Sequence, residues 1–358
     1  MKTDGLPEKP GILDVARAAG VSTASVSNFL NGRYGEMRAD TRQRIADAVE
    51  ALGYVRNIAA RQLKTGRAPI IALLVPSVAN PYFGELAVAV DAEAQRHGFH
   101  MILCNTQRNP GHELSVVQEL VDGGVHGIIS ALAFNENITH MERFIQRGAA
   151  FVFLENSDHA LAHHYADIVS IDQERPTAMA VAHLAEQGHS AIAYVSLSEL
   201  TDNRIARLDG YKKAMSQRGL PHRIITDHGL PSREIPYSDA SLAHFGQMVA
   251  ARLCHDAQPM PTGIICMNDL TAFGVMFGLR EAGLKIPDDV SVIGIDGIAL
   301  SQFTVPPLCT SRQPYDLLAR TAIEKIRASL DDRTRKKDRT LLEPQLLQRA
   351  SVGRCRAS

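Results

Sequence analysis

Two groups of polar side chains in this sequence have types and spacings suited to chemistry, and in both the chemistry is recognition rather than bond making. Thr23, Ala24, Ser25, Ser27, Asn28 and Asn31 share one side of a short helical period whose other side carries Val26 and Leu30. Short polar side chains on such a face can reach base edges and phosphates when the helix lies in a major groove. The second group follows the ends of apolar runs: Ser77 and Asn80, then Ser130, Glu155, Asp172, Asn268 and Asp296. Polar residues outside the carboxyl ends of parallel strands line a cleft in which a hydroxyl-rich molecule can be hydrogen-bonded. Each could instead cap the helix after it. That reading is strong for Asp172 or Asp269 taken singly and weakens when several strands end alike.

The elements that must position the first group come from Gly11–Asn31, GILDVARAAGVSTASVSNFLN. Ile12, Val15, Ala16 and Ala19 fall on one face of a first helix, Gly20 breaks it, and Ser22 is placed to cap a second. The pattern predicts a helix-turn-helix, with an ordinary helical hairpin as the alternative. A third helix is expected over Arg38–Leu52, where Ile45, Ala48, Val49 and Leu52 recur with helical spacing before Gly53. Arg42 and Arg44 would stand on its outer side, solvated or against phosphate. Residues 54–66, YVRNIAARQLKTG, hold only about two turns of helical pattern, too short to be stable alone. Arg61 and Lys64 flank its apolar side, as in a helix that forms only against DNA. Up to Arg67 the chain carries eleven Lys/Arg against seven Asp/Glu, and beyond it twenty-seven against thirty-two. A basic head is thus joined to an acidic body, although the net charge is only -1.

From Pro69 the pattern changes. Apolar runs at 70–76, 100–105, 127–130 and 150–156 alternate with helical patterns at 82–98, 113–122 and 139–147. A second series has runs at 168–172, 191–196, 223–226, 263–268 and 291–296, separated by helical patterns at 178–187, 205–218, 241–255 and 270–282. Such alternation predicts two doubly wound parallel sheets. The expected fold is an all-α head followed by a two-lobed α/β core.

Other classes are disfavoured. The five cysteines form no Cys-x-x-Cys pair and are odd in number, which argues for reduced thiols rather than a disulfide framework. The opening MKTDGLPEKPG lacks the apolar stretch of a signal peptide, and no run approaches the ~18 apolar residues needed to span a bilayer. No membrane partner and a cytoplasmic, nucleoid location are therefore expected. There is no P-loop, G-x-S-x-G or H-E-x-x-H motif, and Gly123, Gly124 and Gly127 are too loosely spaced for a dinucleotide fingerprint, so neither enzyme activity nor a cofactor is expected. His159, His163 and His164 include a helical i, i+4 pair, but a solvated face is expected there rather than a metal. A sugar-binding transport protein is the nearest different class, because its core would look the same; the helix-turn-helix argues against it.

Taken in order, DVARAAGVSTASVSNFLN, TRQRI, LGYVRN, AARQLKTG, IALLVPSVANPYF, RLDGY, MNDLTAFG, IPDDVSVIGID and SRQPYDLLA make the chain resemble the LacI/GalR family of bacterial transcriptional regulators over nearly its whole length. The resemblance implies a helix-turn-helix domain over residues 1–56, a hinge helix over 57–68 and a periplasmic-binding-protein-like effector core over 69–358. The first lobe would take about 69–172 and 302–330, and the second about 173–300 and 338–350, with LLEPQLL as its last strand. A homodimer reading a pseudo-palindromic double-stranded operator is implied. Thr23, Ala24 and Asn28 match base-reading positions with Ser22 and Ser27 beside them, and Asn31 matches a phosphate contact. Leu63 matches a minor-groove wedge, flanked by Ala60 and Lys64.

For the effector, the resemblance implies Arg207, Asn268 and Asp296 as ligand-binding groups. Asn80, Tyr82 and Phe83 would close one side of the pocket, and Ser130, Glu155 and Asp172 would lie at strand ends lining it. The implied ligand is a sugar or sugar acid, with a purine-like corepressor second. Three departures stand out. Asn28 replaces a common arginine, which suits an adenine contact. The stretch 228–239, HGLPSREIPYSD, replaces a shorter segment that supplies an aromatic, a role left to Tyr237. Gly297 stands where an acid or amide is common. The basic run RTRKKDR, 333–339, is expected to be a solvated loop, and the absence of C-terminal leucine heptads favours a dimer over a tetramer.

Overall fold

The computed structural model describes residues 10–30, 33–35, 37–54, 70–131, 138–154, 166–198, 201–228 and 239–355. The chain divides into two compact units, Met1–Ala68 and Pro69–Ser358.

In the first unit, α1 (Ile12–Ala19) ends at Gly20, whose φ of 63° is left-handed, a conformation that a side chain would strain. The turn leads into α2 (Thr23–Leu30), where Ser22 Oγ accepts from the Ser25 N–H at 3.1 Å. The third helix, α3 (Ala39–Ala51), closes a small core of Val15, Ala16, Ala19, Val26, Ile45 and Ala48. Val15, Val26 and Ile45 are fully buried, each stabilising by roughly 1.5–3 kcal/mol, so a core this small depends on its caps. The two arginines of α3 stand on its outer side as expected, and both also make contacts within the head. Arg44 is exposed and donates to the Ala19 carbonyl at 3.3 Å, at the end of α1, while Arg42 donates to the Met37 carbonyl and lies over the Tyr34 ring. Unsatisfied carbonyls at a helix end attract such cations.

The second unit holds two six-stranded sheets. In the first lobe, β1 (Ile70–Val75), β2 (His100–Asn105), β3 (Gly127–Ser130), β4 (Ala150–Phe153) and β5 (Asp167–Ile171) are joined by α4 (Pro81–Arg96), α5 (Pro110–Asp122) and α6 (Ile138–Gln146). In the second, β6 (Ile192–Val195), β7 (Arg223–Ile225), β8 (Gly263–Cys266), β9 (Ser291–Asp296) and β10 (Cys309–Arg312) are accompanied by α7 (Arg175–Glu186), α8 (Asp202–Ser216), α9 (Ala240–His255) and α10 (Asp269–Glu281). The chain then returns as α11 (Tyr315–Asp331), β11 (Arg339–Leu342) and β12 (Gln345–Leu347). The strand orders are β11-β5-β4-β3-β1-β2 and β12-β10-β9-β8-β6-β7. All pairs are parallel except β10 with β12. Strands such as IIALLV are buried along nearly their whole length because helices cover both faces of a parallel sheet.

Two details correct the expected lobe boundaries. β10 pairs with β9 in the second sheet, so residues 309–312 do not belong with the returning segment of the first lobe. LLEPQLL is not one strand: Leu341 and Leu342 end β11 in the first sheet, and Gln345 opens β12 in the second. Pro344 has no N–H to give a ladder, which ends the strand between them. The basic run is a largely exposed loop, as expected, pinned at two of its residues. Arg335 pairs with the fully buried Asp167 carboxylate, Lys337 donates to Ser329 Oγ at 2.8 Å, and Lys325 pairs with Asp338.

Three short spans therefore connect the lobes, at 172–174, 313–314 and 343–344, and the first and third lie side by side through the Leu342–Ile171 register. Within the second lobe α9 and α10 touch backbone to backbone: a Cβ on Gly274 would lie 1.7 Å from the Ala243 carbonyl oxygen. No helix among the described residues is long and apolar enough to cross a membrane.

Candidate ligand and nucleic-acid sites

On the first unit, Thr23, Ala24 and Asn28 are exposed along α2, with Ser22 exposed just before it and Ser27 half-buried. Val26 on the opposite side is fully buried, so packing fixes which face α2 presents. Asn31, Ala60, Leu63 and Lys64 lie outside the described residues.

On the second unit, the carboxyl ends of strands from both sheets bring a polar cluster together. Arg207, on α8, donates through Nε to Gln173 Oε1 at 2.8 Å and through Nη1 to the Met267 carbonyl at 2.6 Å, and its Nη2 stands 3.8 Å from Asp296 Oδ1. Asp296 ends β9 with φ 125°, outside the regions that non-glycine residues favour. Strain of this kind gathers at functional sites. Burial pushes the Asp296 carboxyl up to about 7; Arg207 opposes the rise, and the carboxylates of Asp239 and Glu85 add to it. Tyr315 Oη donates to the Asp296 backbone carbonyl at 3.0 Å, and the Tyr82 ring lies 5.5 Å from the Tyr315 ring.

The lobes also touch directly. Asn80, after β1, donates through Nδ2 to Asp239 at 3.1 Å, and Arg108, after β2, donates to both oxygens of that carboxylate. The Ala299 N–H in turn donates to Glu85 on α4. Beside Asp296, the Gln313 N–H donates to the Asp296 carbonyl, while its side-chain amide is fully buried with neither Oε1 nor Nε2 hydrogen-bonded among the described residues. An unsatisfied buried amide costs about 1–3 kcal/mol and marks a place where a polar partner is missing.

Several expected residues stand elsewhere or do other work. Asp172 Oδ1 accepts from the Glu174 and Arg175 N–H groups and so caps α7; Asn268 Oδ1 accepts from Thr271 and caps α10. Phe83 is packed into the apolar core with Leu86 and Val90 instead of closing a pocket, because the helical period of α4 turns it inward. Ser130 is fully buried at the end of β3, and Glu155, Tyr237, His159, His163 and His164 lie outside the described residues. Gly297 has φ 71°, and a Cβ there would meet Arg312 Cα at 2.4 Å, so an acid or amide has no room.

The cluster also contains residues that the sequence did not single out: Arg108, Asp239, Glu85, Gln173, Gln313 and Tyr315. Gln173 follows the same strand end as Asp172 and could have been found by that rule. Tyr315 and Gln313 sit in the SRQPYDLLA segment. Asp239 carries no local signal, since its partners are 159 and 131 residues away. Among the described residues, no group of His, Cys, Asp and Glu could hold a metal ion.

Comparison with known proteins accords with both units. Residues 11–57 match the family described as bacterial regulatory proteins, lacI family, and residues 181–352 match the periplasmic binding protein-like domain. The HTH-type transcriptional regulator DegA of Bacillus subtilis (strain 168) is 30% identical over 347 residues, covering 96% of this chain and 98% of the relative. A LacI family transcriptional regulator from Enterococcus faecium, solved with bound ribose, aligns at a TM-score of 0.68 and 27% identity over 80% of this chain and 100% of its own. The lac repressor dimer bound to operator and an anti-inducer has the same fold, at a TM-score of 0.78 and 23% identity over 97% of this chain and 100% of its own. With a helix-turn-helix head, a two-sheet core and relatives that are regulators rather than enzymes, this chain belongs to the LacI family of DNA-binding transcriptional regulators.

Proposed function

We propose that the protein is a homodimeric repressor whose affinity for a pseudo-palindromic operator is set by a small hydroxyl-rich ligand, a sugar or sugar derivative, bound between the lobes. The observation that carries the ligand half is the Arg207–Asp296 pair beside an unsatisfied Gln313 amide: a charge pair and a waiting amide suit vicinal hydroxyls, and a wrong ligand would leave buried polar groups unpaired. Bound ribose in the Enterococcus relative supports the ligand class. On the DNA side, Thr23, Ala24 and Asn28 would read bases, Asn31 would meet a phosphate, and Leu63 with Ala60 and Lys64 would engage the minor groove. Wedging costs a few kcal/mol of unstacking and is repaid only on bent DNA.

The homodimer is supported by apolar surface. β2 is the edge of the first sheet, yet Ile102 and Leu103 are 40% and 42% exposed there, with Val88 on α4 at 72%. An edge strand left this apolar invites pairing. The reading is tested by fluorescence anisotropy on DNA from the regions upstream of the gene and its neighbours, across a salt series and with a sugar panel. A specific complex that weakens steeply with salt and shifts with one sugar is expected. Binding without sequence preference would overturn it.

A further inference from the structure

Asp239 begins α9 but makes no side-chain cap bond to that helix. Its carboxylate is 1% exposed and faces the opposite lobe. Oδ1 accepts from Asn80 Nδ2 at 3.1 Å and from Arg108 Nη2 at 2.7 Å, and Oδ2 accepts from the same Nη2 at 2.8 Å.

The receiving side is built rather than incidental. Asn80 Oδ1 accepts from the Tyr82 N–H at 3.0 Å at the start of α4, which fixes the amide and turns its donor outward. Arg108 projects from a turn in which Gln107 and Arg108 itself have φ of 56° and 55°, a left-handed conformation that L residues adopt at a cost. Only Nη2 is engaged, so the rest of the planar fork makes no hydrogen bond among the described residues, and the Arg108 side chain is 41% exposed. Such a fork matches a carboxylate with two parallel bonds. Arg207, the other cation of the cluster, has Nε and Nη1 committed to Gln173 and to the Met267 carbonyl. The charges of Asp239 and Glu85 already bear on Asp296. An added anion is therefore accommodated only where one of these carboxylates withdraws.

We propose that Arg108 and Asn80 form a carboxylate subsite on the first lobe, that Asp239 fills it as an internal ligand, and that the effector is an acid sugar whose carboxylate exchanges with Asp239. This rests on the inter-lobe cluster being the effector site. The exchange conserves charge at Arg108 and releases one lobe from the other, so that ligand arrival and lobe movement are the same event.

The subsite can be tested without an identified effector. In full-length Asp239→Ala protein, sodium formate is titrated against sodium chloride at matched ionic strength, with thermal unfolding as the readout. Formate should raise the melting temperature saturably and chloride should not; wild type and the Asp239→Ala/Arg108→Ala double variant should stay silent. Equal responses to formate and chloride overturn the subsite, and a stronger response to inorganic phosphate than to formate overturns its carboxylate character. On the wild-type protein, aldonates and hexuronates are compared with their neutral parent sugars. The acids should bind, and about tenfold tighter to Asp239→Asn, which keeps the side chain's shape but weakens the internal competitor. Binding of neutral sugars with rejection of every acid overturns the acid class while leaving the inter-lobe effector site standing.

Discussion

Arg207 reaches to 3.8 Å from Asp296 without closing a hydrogen bond on it, because its Nε and Nη1 are held by Gln173 and the Met267 carbonyl. The guanidinium is fixed by its own lobe, and Asp296 keeps acceptor capacity. Arg207→Ala removes the charge that holds the Asp296 carboxyl down and leaves the buried Met267 carbonyl without its donor, and is expected to destabilise the second unit by about 1–3 kcal/mol in denaturant unfolding. Operator binding by the folded fraction should persist while the ligand response is lost. An unchanged ligand response would refute the assignment of this pair to the effector site.

The Asp296 carboxyl gives a pH signature. It sits at about 7 in the folded chain against an ordinary 3.8, so the folded state binds the proton more tightly than the unfolded state does. The favourable contribution is full below the ordinary value and is lost as the pH rises to about 7. Stability of wild type relative to Asp296→Asn should therefore decline between those limits and level off above them. Glu113, which burial also pushes up to about 7, is common to both proteins and cancels in the comparison, whereas the buried Asp269 carboxyl, raised by burial and by the Asp296 charge, shares in the difference. A difference that does not change with pH would contradict the raised carboxyl.

The head tests a second substitution. Arg44→Ala removes the donor to the Ala19 carbonyl and should weaken α1 by about 1 kcal/mol, read as faster amide exchange in residues 12–19 of the full-length protein. If Arg44 instead served DNA, operator affinity would fall with exchange unchanged.

The edge strand tests assembly. Ile102→Asp or Val88→Asp places a charge on surface that is already exposed, so folding should be unaffected. Sedimentation should show a monomer, together with a loss of operator affinity. A dimer that survives both changes would move the interface elsewhere.

How much of this was legible depended on whether a residue's partner was near in sequence. Runs such as IIALLV announced buried strands, and the spacing of Val15, Ala19 and Val26 announced the head. β10, CTSR, was invisible because its buried residues are Thr310, Ser311 and Cys309, with no apolar run to mark them. Pro344 could have warned that LLEPQLL is two strands. Polar residues do gather at the strand ends, but whether one caps a helix, as Asp172 and Asn268 do, or faces the opposite lobe, as Asn80 also does, depends on geometry that composition does not carry. Asp239 and Arg108 were missed altogether because only the folded chain makes them neighbours.

The three spans between the lobes have a mechanical meaning. Two of them are only two residues long, and two of the three are tied by the Asp172 N–H donating to the Leu342 carbonyl at 2.9 Å. Links so short resist stretching and shear yet twist readily at their backbone dihedrals. The lobes are thereby left with one soft coordinate, an angle about the line through those spans, so that different ligands can differ in how far they turn the core but not in the direction.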